Sequence, residues 1–247
     1  MTHKFRAVAA AAALLAAGCG GSGSSAAIPG DSNRISVRFV EGAPVLETLV
    51  NGVPTSIGEA YLAVDAETIA SSFPYGDVTP FVTRPAGVQS IEARDSLGYS
   101  VGPLKTDALP AGKSYTVVVA GTYPNYRALA FLETAGDGGA SLAVYEASPA
   151  YPVADFGTFR ASRGNGFKKL GSVRLGNVAA VSLGRTVANL GAYAGKGTVP
   201  IGTLTVRAVN QFDQRNALPF HSASRFSIFL LDPAAGSGGP LFGSLDQ

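Results

Sequence analysis

From Arg34 onward, apolar residues recur every second position or in short β-branched runs, the signature of strands rather than helices. Ile35-Ser36-Val37-Arg38-Phe39-Val40 alternates cleanly, and Leu46 to Val50 closes on the turn pair Asn51-Gly52. The same pattern predicts strands at Tyr61–Val64, Val78–Val82, Val88–Ala93, Tyr115–Ala120 and Ala128–Leu132. After Glu133 to Gly139, which reads as a linker, strands are predicted at Leu142–Tyr145, Ser172–Leu175, Ala179–Leu183, Thr203–Val209 and Phe226–Leu231. Ala66 to Ser72 reads as a helical turn or two. Residues 234–247, rich in Gly, Ser and Pro, read as a flexible tail.

The pattern before Arg34 is of another kind. Lys4 and Arg6 precede an unbroken apolar run, Ala7 to Ala17, and then Gly18-Cys19. Charge, apolar stretch and small-residue cleavage site make residues 1–18 a signal peptide. The run is about half the roughly 20 residues that cross a bilayer, so it is not an anchor in its own right. Leu15-Ala16-Ala17-Gly18-Cys19 resembles the lipobox of bacterial lipoproteins, in which the cysteine is acylated and becomes the first residue. This resemblance implies a lipid anchor on Cys19, with Ala16 departing from the usual Leu. It is the chain's one cysteine, so no disulfide can form within it. Residues 19–33 carry the lipidated Cys and a Gly/Ser tether. Gly20 after the cysteine, in place of an Asp, points to a cell-envelope address at the outer membrane, facing the periplasm or the cell surface.

The two halves repeat. Val37 to Pro44 matches Leu142 to Pro149, Pro85 to Ile91 matches Pro200 to Val206, and Leu109-Pro110 matches Leu218-Pro219. Each half is near the common size of a single domain. The expected fold is all-β, with two tandem Ig-like β-sandwich domains at 34–135 and 140–233. Composition agrees with this. Charged residues are 15% of the chain against a usual ~25%, while Gly and Pro number 31 and 15. Lys4 and Arg6 leave with the signal, so 17 acidic residues face an equal number of basic ones in the mature chain. That balance offers no basic stripe for nucleic acid.

Two stretches carry a family resemblance. Ser148-Pro149-Ala150-Tyr151-Pro152-Val153-Ala154-Asp155 resembles the opening of the bacterial domain of unknown function 4397. Pro110-Ala111-Gly112-Lys113-Ser114-Tyr115-Thr116-Val117 is similar to the second hallmark of that family, and Asn51-Gly52 falls where it has such a turn. The resemblance runs over about Arg34 to Pro233, with Gly42-Ala43-Pro44 and Glu47 departing from the pattern. It implies exported or lipid-anchored tandem β-domains with no assigned catalysis, and it supplies no active site.

The catalytic inventory is thin. Gly98-Tyr99-Ser100-Val101-Gly102 fits the G-x-S-x-G pattern, and His221 follows it as hydrolase order requires. A secreted serine hydrolase using Ser100 and His221 is therefore the alternative reading, although no helical pattern follows Ser100. Ala111-Gly112-Lys113-Ser114 ends like a phosphate-binding loop, but Asp107 replaces its first Gly and a strand follows. One His and one lipidated Cys in the mature chain do not build a zinc site, and no cofactor is expected. The function expected is a non-catalytic envelope lipoprotein, a binding or structural module for a glycan or protein. Tyr123, Tyr126 and Arg127 on one loop, with Tyr151, are the candidate contact residues, being types enriched at binding hot spots. The competing reading is that these rings cap the sandwich cores. Glu41 and Glu146 recur at matching positions, each expected to pair with a nearby Arg.

Overall fold

The computed structural model describes residues 33–58, 60–133, 141–159, 166–182, 188–194, 199–206, 225–233 and 241–246. Residues 1–32, which hold the expected signal peptide, Cys19 and the expected tether, lie outside these, as does His221. Every regular element among the described residues is a strand. In the amino-terminal half these are β1 (Arg34–Glu41), β2 (Glu47–Val50), β3 (Val53–Ser56), β4 (Tyr61–Val64), β5 (Glu67–Ala70), β6 (Val82–Pro85), β7 (Ser90–Arg94), β8 (Ser100–Lys105), β9 (Ser114–Ala120) and β10 (Arg127–Leu132). In the carboxy-terminal half they are β11 (Ser141–Glu146), β12 (Val153–Phe159), β13 (Lys168–Arg174), β14 (Val178–Ser182), β15 (Ala188–Ala194), β16 (Val199–Val206), β17 (Arg225–Leu230) and β18 (Leu241–Asp246).

Each half stacks two four-stranded sheets. The amino-terminal half has β10-β9-β1-β6 over β5-β4-β7-β8, and the carboxy-terminal half has β14-β11-β17-β18 and β13-β12-β15-β16. The topology repeats strand for strand, except that the hairpin β2–β3 has no counterpart. At the centre of each half lies one parallel pair, β1 with β9 and β11 with β17. All these pairings join strands of the same half.

Alternation along the central strands explains the layering. Ile35, Val37 and Phe39 of β1, with Tyr115, Val117 and Val119 of β9, fill the amino-terminal core. Leu142 and Val144 of β11, with Ile228 and Leu230 of β17, fill the other, against Ala154, Phe156 and Ala192. The residues between them do not face water. Val40, Val118, Ala120, Ala143, Tyr145, Phe229 and Leu231 form a third core, where the two central sheets meet back to back. Burial on both faces is why β9 and β17 read as nearly continuous apolar runs.

Several expectations are corrected. The tail was expected to be flexible, but Leu241–Asp246 forms β18 and pairs antiparallel with β17 from Arg225↔Asp246 to Leu230↔Leu241. β17 needs an edge partner as β9 needs β10, and pairing outweighs the poor strand propensity of Gly243 and Ser244. Ala66 to Ser72, read as helical, contains β5. Asp65 and Ala66 turn the chain at φ 49 and 69, a conformation that side chains rarely adopt and that sequence does not signal. Val78–Val82 was placed too early, since only Val78 bridges to Val40 before β6 begins at Val82. In the second repeat match, Pro200–Val206 lies within β16, the counterpart of β8, and not with β7. The first match holds. Glu41 pairs with Val119 and Glu146 with Leu230 at equivalent places in the two parallel ladders.

Candidate functional site

Because β1 and β9 run parallel in register, their last residues arrive at one end of the sheet, and β11 and β17 do likewise. Contacts across the seam bring those two ends together. A Cβ on Gly42 would lie 2.8 Å from the Leu231 side chain, and the Tyr75 hydroxyl donates to the Asp232 carbonyl. Arg34, the first residue of β1, sits at the opposite end of that strand. The segments after β1, β9, β11 and β17 therefore form one cluster at the end of the sheets opposite Arg34. The β7–β8 turn joins them, since β7 ends at Arg94 opposite Tyr61, next to Ala60, whose carbonyl bonds Phe73.

Three of the candidate contact residues lie on the loop after β9 or its continuation, and Tyr151 follows β11, so all four are at this end. Tyr126 is half-buried against the amino-terminal core. Its hydroxyl accepts from the Glu47 N–H at 2.9 Å and donates to the Val45 carbonyl at 2.8 Å. It thereby occupies an outer-edge donor of β2, and burial raises its phenol pKa. Tyr151 is half-buried against the second core. Tyr123 is half-buried, while Arg127 opens β10 and is exposed. The free edge of the β2–β3 hairpin is blunted differently. Val50 faces Val53 across the Asn51-Gly52 turn, so Pro54 removes a donor that β3 would otherwise direct outward. Leu49 and Val53 are left exposed near the hairpin tip, and Leu97 on the β7–β8 turn is 77% exposed.

The G-x-S-x-G stretch is a hairpin. Asp95 Oδ1 accepts the N–H groups of Leu97 and Tyr99, each at 2.9 Å, and Ser100 begins β8 opposite Arg94. Gly98 turns at φ 86. Gly102, at φ 121, approaches the Ile91 carbonyl so closely that a Cβ would lie 2.6 Å from it. Both glycines answer to the turn and bulge, and a strand stands where a nucleophile elbow needs a helix. Among the described residues, no group of three or more His, Cys, Asp or Glu is arranged to hold a metal ion.

The seam carries the densest polar chemistry. Arg38, an interruption in the apolar pattern of β1, is buried between two equivalent hydroxyls. Its Nε donates to Thr116 Oγ1 and its Nη2 to Ser227 Oγ, each at 2.7 Å. Nη2 also reaches Glu133 Oε1 at 3.3 Å, and Tyr145 donates to both oxygens of that carboxylate at 2.7 and 2.8 Å. The Thr116 hydroxyl joins the same carboxylate. The guanidinium lies over the rings of Phe81 and Phe229, 4.9 and 5.7 Å from their centroids. Glu133, which read as the start of a linker, is thus a buried partner across the seam. Only its position in space reveals that role.

Among the described residues, neither Glu41 nor Glu146 pairs with an Arg as expected. Each accepts a single N–H two residues on, Glu41 from Ala43 at 2.8 Å and Glu146 from Ser148 at 2.9 Å. In both, Oε2 is buried with no partner among the described residues. Burial pushes the Glu41 carboxyl well above the usual range and Glu146 up to about 8, with Asp232 adding to the latter. Asp232 itself accepts from the Ser148 hydroxyl at 2.6 Å and the Ala150 N–H at 3.0 Å. Tyr75, beside Asp232 and Glu41, is raised to about 12, chiefly by burial. Asp232 carried no signal in the sequence, because it meets Glu146 only where β11 and β17 pair, and Tyr75 meets Asp232 only through the packing of the two halves.

Residues 48–157 match the family model described as Domain of unknown function (DUF4397). The matched span runs from β2 into β12 and includes both hallmark stretches, in agreement with the resemblance read from the sequence. No curated protein matches the chain. One solved structure, described as "Alpha-glucan recognition by family 41 carbohydrate-binding modules from streptococcal virulence factors", aligns over 84% of this chain and 96% of its own. The two share 12% identity at a TM-score of 0.24, too low to carry a common fold.

Proposed function

We propose that this chain is a non-catalytic, lipid-anchored envelope module that offers the distal end of its layered sheets to an envelope glycan or protein. The observation that carries the reading is the pair of parallel ladders. They separate Arg34, the point where a tether from Cys19 would enter, from the loops of Tyr123–Arg127 and Tyr151 by the full length of β1. At about 3.3 Å per residue, that strand is roughly 26 Å long. An anchored chain would thus hold its aromatic loops away from the bilayer.

Tyr126 belongs to the scaffold in this reading, since it holds the hairpin. Tyr123 and Arg127 are the better test of contact. The full chain is incubated with peptidoglycan, outer-membrane polysaccharide and envelope protein fractions. Arg127→Ala with Tyr123→Ala should lower retention at least about tenfold, a loss of about 1.4 kcal/mol. Equal retention by the double variant would end the reading of this loop as a contact surface. For the anchor, Cys19→Ser should release the protein from floated membranes. A variant that still floats would remove the lipid from the account.

A further inference from the structure

The two sheets that meet at the seam also end side by side. Arg38 of β1 bonds Ser227 of β17, and Phe131 of β10 meets Tyr145 of β11 edge-on. With the strand orders β10-β9-β1-β6 and β14-β11-β17-β18, this sets β9 over β11 and β10 above β14. Two edge strands therefore lie one above the other on one side of the molecule.

The hydrogen bonds beside them fix which backbone groups they turn outward. The Glu133 N–H donates to the Ser114 carbonyl, so Phe131, Leu129 and Arg127 face β9. Ala128, Ala130 and Leu132 then direct N–H and C=O away from the sheet. The Glu146 N–H donates to the Asn177 carbonyl, which turns Val178, Ala180 and Ser182 of β14 outward in the same way. Among the described residues, no hydrogen bond meets these outward groups. Other edges are guarded, as edges in soluble proteins usually are. β6 carries Arg84 and Pro85, β8 carries Pro103 and a bulge, and β13 carries Lys168, Lys169 and a bulge. Ala128 to Leu132 and Val178 to Ser182 hold no charge, no proline and no bulge.

We propose that the stacked edges are a self-association surface, on which β10 pairs with β14 of a second copy and β14 with its β10. β1, β9, β11 and β17 all end in one cluster, and β10 and β14 run antiparallel to β9 and β11. β10 and β14 thus point the same way, and one twofold axis along the strands matches both layers at once. A single extended peptide would cover only one layer. Continuity with the seam is the second argument. Leu129 and Val178 are partly buried against the third core from these two edge strands. Beside them the partner's Val178 and the partner's Leu129 would carry that core on into the second copy. The same axis leaves both Arg34 residues at one end, as two chains anchored in one membrane require. That last point rests on the function proposed above; the first two do not.

The test is sedimentation equilibrium on the full chain carrying Cys19→Ser, so that no lipid drives association. A dimer with Kd on the order of 10 µM is expected. Ala130→Pro and Ala180→Pro each remove an outward N–H and leave the inward ladder bonds in place. Each should weaken the dimer at least about tenfold, with the far-UV circular dichroism unchanged. An equimolar mixture of the two variants keeps one intact β10–β14 pair and should associate more tightly than either alone. A chain still monomeric at about 500 µM, a dimer that both variants leave unchanged, or a mixture no tighter than its components would overturn the proposal. Should the variants fail to fold, amide exchange of the unsubstituted edges decides. The Ala128, Ala130, Val178 and Ala180 amides should slow at least about fivefold between about 1 and 500 µM chain, and rates independent of concentration sink the interface.

Discussion

Gly42 and Ala147 occupy equivalent positions after β1 and β11, yet they differ by one methyl group for a reason visible only across the seam. A Cβ on Gly42 would lie 2.8 Å from Leu231 Cδ2, Val118 Cγ1 and the Val119 carbonyl oxygen. The carbonyl belongs to β9 and cannot yield without disturbing the Gly42–Val119 hydrogen bond. Gly42→Ala should therefore cost about 1–3 kcal/mol in denaturant unfolding, as overpacking does. Arg38 should matter more. Truncating it to Ala removes the guanidinium that pairs with the buried Glu133 carboxylate, and losses of about 3–5 kcal/mol are usual for such a break. A midpoint for Arg38→Ala within experimental error of the wild type would show that the pair contributes nothing. The sequence exposed Arg38 as a charge inside an alternating strand, but nothing in it named Glu133, 95 positions away, as the partner.

At the scale of elements, pairing decided more than propensity. The β2–β3 hairpin was legible because Asn51-Gly52 supplies the turn, with φ 50 and 82, that two right-twisted strands need. What fastens the hairpin was not legible: Tyr126 reaches it across 79 to 81 positions through its hydroxyl. Tyr126→Phe keeps the ring in the core and removes that fastening. It should speed exchange of the Glu47 amide while costing only about 0.5–1.5 kcal/mol globally. β5 and β18 went unread for a related reason. Thr68, Ile69 and Phe242 favour strands, but Glu67, Ala70, Gly243, Ser244 and Asp246 do not, and these segments pair because β4 and β17 present open edges. Deleting residues 241–247 should expose the β17 edge and its ladder from Arg225 to Leu230. The expected result is concentration-dependent association beyond that of the intact chain, measurable by light scattering.

For the whole molecule, the third core makes the halves interdependent. Tyr145 stacks on Phe229 with centroids 4.9 Å apart and meets Phe131 edge-on at 5.4 Å, so rings from both halves share one apolar layer. Calorimetry on the full chain should give a single cooperative transition. Arg38→Ala should broaden it or split it in two, because the seam is where the halves are coupled. The repeat in the sequence, read from Val37–Pro44 and Leu142–Pro149, anticipated two similar layered halves. It did not anticipate that they would bury the backs of their central sheets against each other.

The sequence by itself determined the all-β class, the amino-terminal signal pattern, the family resemblance and the equivalence of β1 with β11. These are local properties, set by side-chain period, turn chemistry and short motifs. The tertiary structure alone decided which faces are dry, that Tyr126 is a fastening, and that the tail supplies an edge strand. It also decided that Glu41 and Glu146 are buried, with no ion pair to either among the described residues, and that Asp232 lies near Glu146. The physical reason is the same in each case. A strand has two faces and two edges, and what covers them comes from residues far away in the chain.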